Sequence, residues 1–419
     1  MKNAIKSIQP TRLTQYDGYS SPAKTSDTGD VYHSNDDASS ERGTIYSAVT
    51  SDKYIKPANE TSKKINIAIF GHGTVGGALI RQITESRAHI IARKNLDINI
   101  FAVANSEKIW LSTNGIADDW EIKLSSEGKP YSIEKVLQYA HHHQLENLIA
   151  VDNTDSESFV ENYIPLIKGG FDLVSSNKIG NVLTYGFYNA IRDELKIHKK
   201  EYRYEANVGA GLPLIDTIRV LHLSGENITK IQGVFSGSLS YIFNRFSESN
   251  QSFSSILSEA MKLGLTEPDP RLDLSGADVG RKLLILAREL DLKNEMEDIR
   301  IQNLIPEGLR DYSLSHFLYH LNDVDSHFET IRKKTRPDHV LKYVASLSEG
   351  TQMEKGKLQT GLIEVPLSSP LGLLKGSDNY FEIYTESYGN NPIIIQGAGA
   401  GANVTARGVF GDILKIADR

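Results

Sequence analysis

Asp278 and Lys282 stand four residues apart in SGADVGRKLLILARELD, so a helix over this segment sets a carboxylate beside an ammonium group. Val279, Leu283, Leu286 and Leu290 mark the buried stripe of that helix. An acid next to a base can hold a charged substrate and move a proton. The plainer alternative is a surface ion pair, which at this spacing is the commoner outcome. Just upstream, GLTEPDPRLDLSG gathers Glu267, Asp269, Arg271 and Asp273 in a proline-punctuated loop at the helix entrance, a set that fits plain solvation and also suits an ammonium-bearing substrate. Lys178 is a second candidate for the chemistry. It ends VSSNK, after a predicted strand, on the edge where open α/β sheets bind ligands; the alternative, which position alone does not exclude, is a surface lysine after a strand.

Gly71, Gly73 and Gly76 form GHGTVG directly after the apolar run INIAIF and directly before a segment with helical spacing at Val75, Leu79 and Ile83. In that setting the first glycine permits a tight turn, the second admits a pyrophosphate, and the third lets helix and strand pack closely. The helix N-terminus then favours the phosphate charge. No Gly-Lys-Ser/Thr follows, which disfavours a nucleoside-triphosphate loop. The chemistry implied is NAD(P)-dependent oxidation and reduction. At the end of the second strand, in FAVANSEK, Asn105 and Ser106 stand where an NAD-selective site carries a carboxylate, and Lys108 follows. This favours NADP(H), with NAD(H) also possible; the alternative is that these residues only cap the strand.

The segment EANVGAGLP offers one carboxylate, Glu205, and several carbonyls to a hard cation, but by itself reads more readily as a glycine turn before a helix with Pro213 near its first turn. His141 to His143 lie on a polar helix end and read as solvent-exposed rather than as ligands. The chain has no cysteine, which excludes disulfides, thiolate metal sites and aldehyde oxidation through a thioester. Direct hydride exchange between carbonyl and alcohol stays open.

These groups need a scaffold, and 419 residues with 39% hydrophobic content suffice for two cores. A net charge of -7 argues against nucleic acid. No apolar run approaches the roughly 20 residues of a membrane helix, so no membrane partner and a cytoplasmic location are expected. Residues 1–64 are polar and aperiodic, and a flexible extension is expected there in preference to a domain or a transit peptide.

From Ile65 onward strands alternate with helices. The segments Ile65–Phe70, Ile98–Ala104, NLIAVDN and FDLVSSN read as strands; Thr74–Ser86, SIEKVLQYAHHH and SESFVENYIPLIKGG read as helices. The fold class expected over 65–204 is α/β, a Rossmann-type doubly wound parallel sheet. Residues 205–392, with strands in ITKIQGVFSG, VLKYVASLSE, KLQTGLIEV and YFEIYTES, are expected to form an α+β substrate domain with a mixed sheet. Residues 393–419 read as a strand, a glycine turn and a helix that return to the nucleotide domain.

Taken together, GHGTVGG, VDNT at Val151, SSNK at Ser175, NVGAGLP at Asn207, GVFSGSLSYIFN at Gly233, GLTEPDPRLDLSGADVGRKL at Gly264 and QGAGAGANVTARGV at Gln396 make the chain resemble homoserine dehydrogenase from about Ile65 to Arg419. The resemblance implies reversible NAD(P)H-dependent reduction of L-aspartate 4-semialdehyde to L-homoserine. It implies substrate contacts at Gly264, Glu267 and Asp278, with Asp273 in the same loop, proton transfer by Lys282, and Lys178 close to nicotinamide and substrate. Cofactor contacts are implied at Gly73, Thr74, Val75, Thr154, Gly399 and Gly401, beside Gly71, Gly76, Asn105, Ser106 and Lys178. A monovalent cation such as sodium is implied at Glu205, Val208, Ala210 and Leu212, and a homodimer through the substrate domain. Departures from the family pattern are Ser175-Ser176 where Thr-Pro is frequent, Leu272 where an aspartate is frequent, and Asp155 in place of a small hydroxyl residue.

Overall fold

The computed structural model describes residues 62–116, 119–348 and 354–419. The extension expected over 1–64 lies almost wholly outside the described residues. The first strand, β1 (Lys63–Phe70), is buried along most of its length because both its faces are covered. Ile65, Ile67 and Ile69 meet one apolar cluster, and Ala68 and Phe70 meet another. Its one interior polar side chain, Asn66, is matched across the register by Asn99, whose amide donates to Asn66 Oδ1 at 2.8 Å. A one-residue slip would break this buried hydrogen bond and leave Asn66 Oδ1 without its donor, so the pair favours the observed register.

β2 (Leu96–Ala104), β1, β5 (Leu148–Asp152), β6 (Phe171–Ser175) and β7 (Tyr202–Arg203) pair in parallel in that order. The expectation of a parallel sheet holds for these strands, but β3 (Lys108–Leu111) and β4 (Lys129–Pro130) extend the sheet antiparallel beyond β2. Strands of four and two residues carry too little periodicity to show in the sequence. Two predicted helices also differ. The first runs on from Thr74 to Lys94, since no breaker intervenes until Asn95 closes it in the left-handed conformation with φ 58°. SESFVENYIPLIKGG forms two short helices, Glu157–Val160 and Tyr163–Lys168. Pro165 lacks an N–H and is accommodated only within a first turn, so the chain restarts its helix at Tyr163.

A second, mixed sheet has the order β13 (Ile393–Gly397), β12 (Asn379–Thr385), β8 (Ile228–Val234), β10 (His339–Ser348), β11 (Lys357–Pro366), β9 (Arg300–Ile301). Every pair in it is antiparallel except β11 with β9. The sequence predicts that the strand and helix of residues 393–419 both return to the nucleotide domain; instead β13 pairs with β12, whose exposed edge it completes, and only the helix Ala402–Ala417 crosses over. There Ala406, Val409, Phe410 and Ile413 join the cluster of Ile65, Ile67 and Ile69. Lys63 Nζ donates to the Ala417 and Arg419 carbonyls at 3.0 and 2.9 Å.

Candidate active site

β1 and β5 are neighbours whose chains leave in different directions, so the loops after their C-terminal ends form a crevice. The glycine loop follows β1 and is pressed against the loop after β5. A Cβ on Gly71, where φ is +82°, would come within 2.8 Å of the Asn153 backbone, and one on Gly76 would overlap the Gly71 carbonyl oxygen. A Cβ on Gly73 would meet nothing within 4 Å. Gly73 and Thr74 are exposed at the start of the helix, Val75 half-buried behind them, so the open side of the loop faces away from the protein. This is a cradle fitted to a dinucleotide: two glycines serve the fold and the third leaves room for a ligand.

At the end of β2, Asn105 Oδ1 accepts from the N–H groups of Glu107 and Lys108 at 2.9 and 2.7 Å, and its Nδ2 lies 3.2 Å from His72 Nε2. Asn105 thus caps the turn while tying it to the glycine loop. Ser106 is exposed, and Lys108 Nζ donates to the Ser125 carbonyl at 2.6 Å.

The loops after β5 and β6 are joined by a residue not singled out in the sequence, Asp152. Its carboxylate is buried and accepts from Thr154 N at 2.8 Å, Thr154 Oγ1 at 2.7 Å, Tyr163 Oη at 2.6 Å and Asn177 Nδ2 at 3.0 Å. Burial pushes this carboxyl up, and the hydrogen bonds from Tyr163, Thr154 and Asn177 pull against it. Asn177 in turn accepts from Ile179 N at 3.0 Å, so the turn carrying Lys178 is held on both sides. The signal for it in the sequence is the motif pair VDNT and SSNK, which carries Thr154 and Lys178.

Lys178 meets the second half of the chain at Asp278. Gly276, with φ +73°, starts the helix Ala277–Arg288, which places Asp278 in its first turn, where a carboxylate is favoured. Lys282 Nζ lies 2.8 Å from Asp278 Oδ2, and Lys178 Nζ lies 3.5 Å from Asp278 Oδ1. Lys282 also donates to the Phe235 carbonyl at 2.9 Å. Its side chain is only 12% exposed, so the pair is not the exposed ion pair that the spacing alone permits, whereas the Asp278 side chain is 40% exposed and open to a ligand. Burial works against the Asp278 charge, but Lys282 and Lys178, with Arg281, outweigh it and hold the carboxyl well below the usual carboxylate range.

Asp273 serves the loop around this pair. It accepts from Ser238 Oγ at 2.7 Å and from Glu267 N at 2.9 Å, so it positions Glu267 rather than standing free. Burial, with a contribution from the Asp278 charge, pushes its carboxyl up against these two donors. Asp269 and Arg271 neutralise each other at 2.6 Å. Glu267 is exposed and forms no ion pair among the described residues; Gly264, with φ +67°, is exposed beside open space. Phe235 and Ser238 both lie in the quoted segment GVFSGSLSYIFN, yet a backbone carbonyl gives no signal by residue type.

Glu205 caps the helix Leu214–Leu223, accepting from Ile215 N at 2.7 Å and Asp216 N at 2.9 Å. Its carboxylate converges with those of Asp216 and Asp412, and Lys415 pairs with Asp216 and lies 3.2 Å from Asp412 and 4.0 Å from Glu205. Burial, then the Asp216 and Asp412 charges, push the Glu205 carboxyl up to about 7 despite the two N–H donors. The Leu212 carbonyl accepts from Leu214 N at 2.8 Å, while those of Val208 and Ala210 accept no hydrogen bond among the described residues. At the far turn, a Cβ on Gly401 would meet nothing within 4 Å, whereas one on Gly399 would overlap the Asn379 amide, so Gly399 is required for packing.

Residues 71–205 match the family described as homoserine dehydrogenase, NAD binding domain, and residues 213–414 match homoserine dehydrogenase. A bifunctional aspartokinase/homoserine dehydrogenase of Haemophilus influenzae is 36% identical over 90% of this chain, which spans 46% of that relative. The homoserine dehydrogenase of Saccharomyces cerevisiae is 34% identical over 86% of this chain and 99% of its own length. A hyperthermophilic archaeal homoserine dehydrogenase solved in complex with NADPH is 27% identical and superposes with a TM-score of 0.63, covering 84% of this chain and 97% of that one. The glycine cradle, the lysine-flanked Asp278 and the agreement along nearly the whole described length make this chain a member of the homoserine dehydrogenase family.

Proposed function

We propose that the chain reduces L-aspartate 4-semialdehyde reversibly to L-homoserine with a nicotinamide cofactor, a step in threonine and methionine biosynthesis. The observation that carries this reading is Asp278 set between Lys282 and Lys178, with Glu267 exposed nearby. The Gly71–Gly76 loop would hold the cofactor's pyrophosphate, and the nicotinamide would supply the hydride that converts the aldehyde carbon to an alcohol carbon. Asp278 and Glu267 hold the substrate ammonium group. Lys282 offers the third of its N–H bonds to the carbonyl oxygen, where negative charge develops, and gives that oxygen its proton. Lys178 adds a second positive charge beside the same carboxylate. In the reverse direction neutral Lys282 takes the hydroxyl proton. The test is the purified full chain with NADPH and aspartate semialdehyde, followed by cofactor oxidation; binding of NADPH without turnover would overturn the assignment.

NADP(H) is the preferred cofactor in this reading, because Asn105 and Ser106 present no carboxylate to a 2′-phosphate. Comparing kcat/KM for NADPH and NADH decides it. A monovalent cation is proposed at the loop of Glu205, Val208, Ala210 and Leu212, supported by the uncommitted carbonyls of Val208 and Ala210. Replacing sodium by a bulky organic cation would then lower activity and thermal stability. A homodimer is proposed through the second sheet, supported by the exposed apolar side chains of Ile394 in β13 and of Leu373 in the connection between β11 and β12; sedimentation equilibrium reads the mass. A different amino-acid aldehyde is the second reading, favoured by Leu272, which is 59% exposed in the substrate loop. Higher kcat/KM for a more apolar aldehyde would support it.

A further inference from the structure

Asn379 opens β12 and is completely buried, yet its Oδ1 accepts no hydrogen bond among the described residues. An unpaired buried acceptor is unfavourable, and an aliphatic side chain of similar volume would avoid it. What the amide does make is one hydrogen bond: Nδ2 donates to the Phe235 carbonyl oxygen at 3.3 Å. That oxygen is the one that accepts from Lys282 Nζ at 2.9 Å. The amide cannot be turned over, since Oδ1 would then face another acceptor. From the other side the turn after β13 presses on it, because only a residue without a Cβ fits at 399 beside Asn379 Cγ and Nδ2.

An ammonium nitrogen is tetrahedral. With one N–H directed at Asp278 Oδ2 and a second at the Phe235 carbonyl, the direction of the third is set by where those two acceptors stand. Asp278 is held by its helix. The Phe235 carbonyl sits where β8 gives way to the helix Gly237–Glu248, at an irregular joint, and there Asn379 is its second donor.

We propose that Asn379 is a positioning residue for the reaction: its amide fixes the Phe235 carbonyl and thereby aims the free N–H of Lys282, while its contact with Gly399 keeps the Gly397–Gly401 turn in register with that lysine. This rests on the reading of Lys282 as the group that moves the proton.

The experiment uses the full chain with NADPH and aspartate semialdehyde. Asn379→Leu keeps the bulk and removes the donor, and Asn379→Ser serves where the leucine variant loses its cooperative thermal transition. The expected result is a loss of kcat of roughly 10- to 100-fold, the size expected from misplacing a reacting group. KM for NADPH stays unchanged and the solvent deuterium isotope effect on kcat grows, because proton transfer has become slower. A folded variant with unchanged kcat, or a loss of kcat with an unchanged isotope effect, overturns the proposal. Lys282→Ala separates the two ideas: turnover retained there defeats the assignment of Lys282 and this inference with it, whereas an inactive Lys282→Ala beside a normal Asn379→Leu defeats this inference alone.

Discussion

Lys282 holds the nearer oxygen of Asp278, at 2.8 Å, and leaves the other oxygen facing Lys178 at 3.5 Å. The two lysines are therefore unequal. Lys282 is anchored by a carboxylate and a carbonyl and is largely shielded, while the Lys178 side chain is 31% exposed. Lys282→Ala should lower kcat by about 10²- to 10⁴-fold, the usual contribution of a positioned proton donor. NADPH binding by fluorescence titration should be unchanged. Lys178→Ala should lose less. The reverse ranking would transfer the proton role to Lys178.

The glycine loop makes a sharper distinction. Gly76→Ala forces a methyl into the Gly71 carbonyl, a backbone atom that cannot step aside, and should destabilise the fold by roughly 1–3 kcal/mol. Gly73→Ala meets no protein atom and should leave the thermal transition where it is, while weakening NADPH binding. Equal melting temperatures for the two variants would contradict this division of labour.

Asp152 organises two loops without pointing at substrate. Asp152→Asn puts an NH2 group where a carboxylate oxygen now faces buried donors, so at least one of these hydrogen bonds must be lost or re-aimed, at a cost of about 1–3 kcal/mol. Thr154 and the Lys178 turn should both loosen, so KM for NADPH should rise while kcat falls. A variant with normal KM and reduced kcat would show that the Thr154 side needs no such support.

Lys342 is buried in β10, where it donates to Asn244 Oδ1 and to the Leu374 carbonyl at 2.8 Å. Burial, with the nearby Lys375 charge, brings its ammonium group down from 10.5 to about 8. The fold therefore favours the neutral amine. The stability that this residue contributes is complete above pH 10.5 and is lost as pH falls through about 8. A difference of that size corresponds to roughly 3 kcal/mol. Urea unfolding of the parent and of Lys342→Met at pH 7 and above pH 10 should show the parent gaining on the variant as pH rises. A constant difference would mean that Lys342 titrates normally.

Much of this was legible because the nucleotide half follows local rules. A run such as INIAIF, buried on both faces, followed by GHGTVG and an amphipathic stretch has one ready interpretation, and Asp278 with Lys282 is visible at helical spacing. β3 and β4 were not visible, since two to four residues carry no period and take their conformation from the strand beside them. Nor was the pairing of Lys178 with Asp278, which joins positions a hundred residues apart on different elements. Asp152, the Phe235 carbonyl and Asn379 act through hydrogen bonds to other protein groups, and residue type alone does not separate them from ordinary core.

The helix Ala402–Ala417 fills one face of the sheet that begins at Lys63. During synthesis β1, the glycine loop and their helix leave the ribosome before the helix Ala402–Ala417, so the apolar face formed by Ile65, Ile67 and Ile69 stays without its full cover until that helix emerges. The first sheet therefore gains its full cover only from a segment distant in the chain. Trimming the final turns would uncover Ile65 and its neighbours and disturb the cradle from behind, although the residues removed touch no glycine of the loop. The support behind the cofactor cradle is in this sense supplied by a helix made long after the loop itself.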